Sequence, residues 1–275
     1  MELNGIEPAG AEGPRRSFRN HRLRRGIYIL PSLLTVGNIL CGYYAILATM
    51  EGGPLYMDYA ARAIGFAFLF DTLDGRIARA MGTNSEFGKE FDSLADVVSF
   101  GIAPALLAYA WGVRALAAAA SPGYLHLIQL GWLVCFFFVI CCAWRLARFN
   151  IHGMAPGSNR YFVGLPTPIA AGMVAAVVHA AGGPIENPAI SVLWLALVAL
   201  LGVLMASTVR YYSFKEVQWT RRQPSLAVVA LATIGALIVF FSRPTLLILA
   251  GVYVAHGIIF YLGRLIRRRM AARRV

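Results

Sequence analysis

The chain has 275 residues, 59% of them hydrophobic and only 14% charged, with a mean hydropathy of +0.64. Soluble domains run close to half apolar and a quarter charged, so this composition excludes an ordinary soluble globule and points to a membrane protein. A net charge of +12 would suggest a nucleic-acid partner on a soluble chain, but the distribution of that charge along this one argues against it.

Residues 1–24 are basic and rich in Gly and Pro, and are expected to form a disordered cytosolic tail. Arg15-Arg16-Ser17-Phe18 has the look of a twin-arginine export signal, yet the apolar run after it is long and lacks an Ala-x-Ala end. It reads as a first membrane helix. A bilayer-crossing helix needs about 20 predominantly apolar residues. Eight stretches qualify, at approximately 28–50, 57–80, 91–112, 126–148, 166–183, 190–208, 225–242 and 245–264. The third and fourth end in or contain charges and the fifth is short, so the expected fold is an all-α, polytopic membrane bundle of six to eight helices. Residues 25–220 are expected to form the main membrane domain, and 221–275 further C-terminal helices with a basic tail.

With the N-terminus in the cytosol, eight spans leave all but Arg62, Arg114 and Arg243 of the 25 Lys and Arg on the cytosolic side. This positive-inside bias predicts a multi-pass protein of the cell (inner) membrane with both termini cytosolic. The arginines are thus topology signals and contacts to anionic membrane lipids rather than a nucleic-acid patch. Cys41, Cys135, Cys141 and Cys142 lie inside apolar runs without metal-ligand spacing and read as small core residues.

Four carboxylates break the apolar pattern. Asp71 and Asp74 stand three apart, Asp92 and Asp96 four apart, and each spacing puts its pair on one helix face. The polar, Gly-containing stretch between the pairs reads as a turn at a membrane surface, making the two helices antiparallel neighbours with converging acidic edges. Buried charges need compensation. Four converging carboxylates, with neither Cys nor His, suit two hard divalent cations, Mg²⁺ or Mn²⁺, of the kind that assist displacement at phosphorus. Glycines beside the acids permit close approach of a ligand, and Arg79 can reach a phosphate. Two other readings compete: the aspartates pair with Arg76, Arg79 and Lys89 at a helix junction, or they mark an ion or proton pathway of a transporter.

The segment Asp71–Asp96 resembles the signature of the CDP-alcohol phosphotransferase family, D-x2-D-G-x2-A-R-x8-G-x3-D-x3-D. It matches at Asp71, Asp74, Gly75, Ala78, Arg79, Gly88, Asp92 and Asp96. Further stretches, among them 93–105, 144–150, 161–172 and 209–215, look like the phosphatidylserine synthase branch of that family. The resemblance implies a CDP-alcohol phosphotransferase-like fold, a homodimer, and transfer of a phosphatidyl group from CDP-diacylglycerol to L-serine. Another alcohol acceptor, glycerol 3-phosphate or inositol phosphate, is the alternative. It further implies a cytosolic active site, metals on Asp71, Asp74 and Asp92 with Asp96 beside them, and Asp96 as the general base. The family pattern would set the cytidine and phosphates against Gly75, Ala78 and Arg79, with Gly88 nearby. Thr35 and Asn38, one turn apart on the first helix, either help hold the diphosphate or make helix–helix hydrogen bonds. For the serine carboxylate the candidates are Arg145 and Arg148, with Asn150 and Lys215 as further contacts.

Overall fold

The computed structural model describes residues 19–82, 85–114, 125–152, 161–212 and 224–272. Within them lie eight helical rods: α1 (Arg19–Glu51), α2 (Gly53–Met81), α3 (Glu86–Arg114), α4 (Leu125–His152), α5 (Thr167–Ala181), α6 (Pro188–Ala206), α7 (Pro224–Phe240) and α8 (Ser242–Ala272). Each coincides with one of the eight apolar stretches. Five rods, those holding Ser32–Glu51, Glu86–Arg114, Leu125–Ile151, Pro188–Ala206 and Ser242–Gly263, are long and apolar enough to cross a membrane. Three fall short on those terms: α2 is interrupted by charge, α5 is a 15-residue helix, and the apolar part of α7 is shorter still.

Local chemistry sets the boundaries. Gly52 and Gly53, at φ 76 and 81, turn the chain from α1 into α2, and Pro54 starts the new helix. Gly82 closes α2 in the left-handed region. Ser85 caps α3 by accepting from the Gly88 N–H at 2.9 Å. Asn187 caps α6 through the Ala189 N–H.

Small residues recur at the buried contacts, among them Ala45, Ala60, Ala63, Ala67, Ala103, Ala108, Ala170 and Ala171, beside larger ones such as Phe100, Phe138 and Trp194. Large side chains such as Leu40, Leu69, Trp132, Phe136 and Val239 point outward. Lipid tails are as apolar as leucine, so helices associate by close backbone approach while bulky residues face the acyl chains. α1 packs along α2, α2 against α5, α4 against α6, and α8 against α5.

Two features were not foreseen by an all-α reading. A short antiparallel ribbon joins β1 (Tyr161–Val163) to β2 (Arg210–Tyr212), pairing Phe162 with Tyr211. And α3 widens into π turns at Val97–Ile102 and Ala110–Arg114. The second π region sits beside α6, where the Ala108 and Gly112 carbonyls accept from Trp194 Nε1 and Ser191 Oγ.

Candidate active site

The turn after α2 brings the acidic edges of α2 and α3 together. Carboxylate oxygens of Asp71, Asp92 and Asp96 lie within 4.8 Å of one another. Asp74, one turn along α2 from Asp71, is buried and close enough to Asp92 to interact with its charge. All four aspartates therefore share one end of the bundle.

α1 fixes two of them. Thr35 Oγ1 donates to Asp74 Oδ2, and Asn38 Nδ2 donates to Asp96 Oδ1 at 3.2 Å. Of the two readings of Thr35 and Asn38, the observed contacts are the helix–helix hydrogen bonds, and their partners are the aspartates themselves. The backbone beneath is tight: Ser99 Oγ donates to the Asn38 carbonyl at 2.9 Å, and a Cβ on Gly42 would meet Ser99 Cα at 2.8 Å. Ser99 belongs to the π turn that begins immediately after Asp96. Gly42 and the π turn therefore pack directly behind Asp96.

The basic residues of the α2–α3 turn point elsewhere. Arg76 and Arg79 are exposed, and the Arg79 guanidinium lies over Gly75, where a Cβ would be 3.4 Å from Nη1. Lys89 Nζ reaches the Asn150 carbonyl at 3.4 Å. Ala78 is half-buried on the same face as Asp71 and Asp74, and Gly88 sits in the first turn of α3, its N–H spent on the Ser85 cap.

The two arginines of α4 part company. Arg145 is only 7% exposed, deep in the bundle, where its charge interacts with those of Asp96 and Asp71. Its Nη1 donates to Thr167 Oγ1 at 3.4 Å, and its guanidinium carbon lies 5.4 Å from the Phe149 ring centre. Arg148 binds carbonyls instead. Nη1 donates to Ala206 O at 3.0 Å, and Nη2 to Val163 O, Met205 O and Ser207 O at 2.9, 3.2 and 3.1 Å. It closes the C-terminus of α6 onto β1, a structural clamp where the sequence suggested a carboxylate fork. Asn150 Nδ2 donates to Ser93 Oγ at 2.9 Å, tying α4 to α3. Lys215 lies outside the described residues.

Four buried polar atoms have no hydrogen-bond partner among the described residues: Asn38 Oδ1, Asp92 Oδ1, Arg145 Nε and Tyr211 Oη. Sequence reasoning located the first three side chains but missed Tyr211, along with Thr167 and Phe149. The signal for Tyr211 lies in the aromatic pair of 209–215, beside Lys215.

A family model for CDP-alcohol phosphatidyltransferases matches residues 28–205. A curated relative from Helicobacter pylori, named CDP-diacylglycerol–serine O-phosphatidyltransferase, is 36% identical over 245 residues, covering 86% of this chain and 92% of the relative. A protein of the same name from Mycobacterium leprae is 38% identical over 156 residues, 54% of this chain and 47% of that one. An archaetidylserine synthase from Methanothermobacter thermautotrophicus is 40% identical over 144 residues, 52% of this chain and 54% of the relative.

Proposed function

The chain belongs to the CDP-alcohol phosphatidyltransferase family, and from that premise we propose that it transfers the phosphatidyl group of CDP-diacylglycerol to the hydroxyl of L-serine, releasing CMP. The observation that carries this reading is the aspartate cluster of α2 and α3 set beside a buried arginine on α4. Phosphoryl chemistry uses the first, and recognition of an amino-acid carboxylate the second.

The donor set fits divalent cations. Three carboxylates offer oxygens within 4.8 Å, Asp74 stands alongside, and the buried Asp92 Oδ1 has no partner within the described protein. Hard oxygen ligands of this kind select Mg²⁺ or Mn²⁺. Bound there, such ions would offset the diphosphate charge as it shifts onto the leaving CMP.

The remaining steps belong to the chain. Asn38 holds Asp96 Oδ1, which leaves Oδ2 to take the proton of the serine hydroxyl. The serine oxygen bonds to the β-phosphorus as the bond to the CMP oxygen breaks. Arg145 faces the carboxylate of the incoming serine, its charge already balanced in part by Asp96. Thr35 steadies Asp74, and the donor's phosphates would meet the chain at Gly75 and Arg79. The outward-facing apolar belt would keep the diacylglycerol chains in the bilayer, and the arginine bias supports a cytosolic aspartate end.

Purified protein in detergent tests this directly. CMP release from CDP-diacylglycerol is expected to require L-serine, to be lost with a chelator and to return with Mg²⁺ or Mn²⁺. Release driven equally by glycerol 3-phosphate or inositol phosphate would reassign the acceptor, and transport without release would end the transferase reading.

A further inference from the structure

The four partnerless buried atoms sort by chemistry. Asn38 Oδ1 and Asp92 Oδ1 accept, and both belong to the aspartate site. Arg145 Nε donates, and the Tyr211 hydroxyl can donate as well as accept. Buried polar groups are nearly always partnered, so two orphaned donors call for an acceptor that the described residues do not supply.

Their surroundings connect. The Arg145 guanidinium lies over Phe149, whose ring centre is 6.2 Å from that of Phe162. Phe162 pairs across the ribbon with Tyr211. The Tyr211 ring stacks on Tyr253 of α8 at 5.7 Å and 14°. Tyr253 in turn lies within electrostatic reach of Arg145. Tyr211 is fully buried and its ring is fixed in place, since any Cβ on Gly257 would collide with it. Burial, with a smaller contribution from Tyr253, pushes its hydroxyl up to about 12, so it remains a donor at physiological pH.

We infer that Tyr211 and Arg145 together grip the carboxylate of the acceptor amino acid, Tyr211 through its hydroxyl and Arg145 through its Nε–H edge. The inference rests on the serine-transferase reading and deepens it. It assigns acceptor specificity to a residue beyond the 28–205 segment that matches the family, held in place by the C-terminal helix α8.

The test is Tyr211→Phe, which keeps the ring packed against Gly257. Purified wild type and variant are compared for CMP release with L-serine and with serinol, which has a hydroxymethyl group in place of the carboxylate. Loss of a hydrogen bond to a charged group corresponds to roughly 10- to 100-fold, so the serine KM is expected to rise by at least about tenfold. The KM for CDP-diacylglycerol stays put, and the preference for serine over serinol shrinks by the same factor as the serine KM rises. Because the hydroxyl has no hydrogen-bond partner among the described residues, the variant's melting temperature is expected to be unchanged or higher, the opposite of what a structural hydroxyl would give. A serine KM within twofold of wild type, or equal losses with serine and serinol, overturns the inference while leaving the transferase reading intact. A wild type that releases no CMP with serine overturns both.

Discussion

Arg148→Ala separates a structural arginine from a substrate-binding one. The Arg148 guanidinium donates to four backbone carbonyls at 2.9–3.2 Å, three from the end of α6 and one from β1. The same knot contains Gly164, at φ 82, whose N–H donates to Val209 O at 2.8 Å and whose missing Cβ makes room for Arg148 Nη2. Truncation leaves those part-buried carbonyls without their donor. At about 1 kcal/mol for each lost bond, the destabilisation is about 4 kcal/mol. For a chain of this size that corresponds to a fall in Tm of roughly 8–16 °C. The assay is thermal unfolding of the detergent-purified protein, read beside the steady-state constants of whatever remains folded at low temperature. Arg148→Lys is expected to recover less than half of the loss, because one ammonium cannot span carbonyls on both sides of the fork. Arg145→Ala is expected to show the reverse pattern, a large rise in serine KM with a smaller change in Tm. An Arg148→Ala protein with wild-type Tm and a selectively raised serine KM would refute the clamp and move Arg148 into the acceptor site.

Three further outcomes follow from named contacts. Asp96→Asn is expected to lower turnover by roughly 10²–10⁴-fold while CDP-diacylglycerol still binds, and near-normal turnover would remove Asp96 as the base. Gly42→Ala removes no polar group, yet its methyl would press on Ser99 Cα and the π turn behind Asp96. The cost of overpacking is about 1–3 kcal/mol, and kcat should fall with both KM values nearly unchanged; a silent variant would mean that this contact does not position Asp96. At the opposite end of α2, His179 hydrogen-bonds Asp58 and, at 2.9 Å, Ser242 Oγ, while Arg62 pairs with Asp58 at 2.7 Å. His179→Phe is expected to lower Tm by several degrees without altering kcat or either KM, and a change in catalysis would show that the far end of the bundle feeds into the site.

The parts of the site legible in the sequence were those encoded by short spacings. Asp71/Asp74 and Asp92/Asp96 obey helical periodicity, and the glycine-containing turn between them dictates that they meet. What was not legible depends on distant segments. Thr35 and Asn38 were placed near the site, but their partners, Asp74 and Asp96, come from other helices and are chosen by the register of α1 against α2 and α3. The π turn after Asp96 leaves no mark on a 3.6-residue pattern. Arg145 and Arg148 share a spacing of three and therefore a face, but one helical turn along α4 is enough to move from the aspartates to the end of α6. Tyr211 is buried by a three-residue ribbon and by a glycine on α8, neither of which its neighbours in the chain announce.

The distribution of polar atoms also bears on why so apolar a bundle tolerates these groups. Several polar side chains near the site that serve structure are satisfied: Thr35, Ser99, Arg148 and Asn150 all donate to protein acceptors. Among the described residues, the buried atoms left over are two acceptors on the aspartate side and, in Arg145 Nε and Tyr211 Oη, two groups able to donate. A misfolded or poorly packed region would scatter such atoms without regard to sign. Here the leftover acceptors match cations, and the leftover donors match a carboxylate. At about 1–3 kcal/mol each, their desolvation is a standing cost of the folded chain. That cost becomes differential binding energy for substrates of the right charge, and an acceptor lacking a carboxylate forfeits the share held by Arg145 and Tyr211.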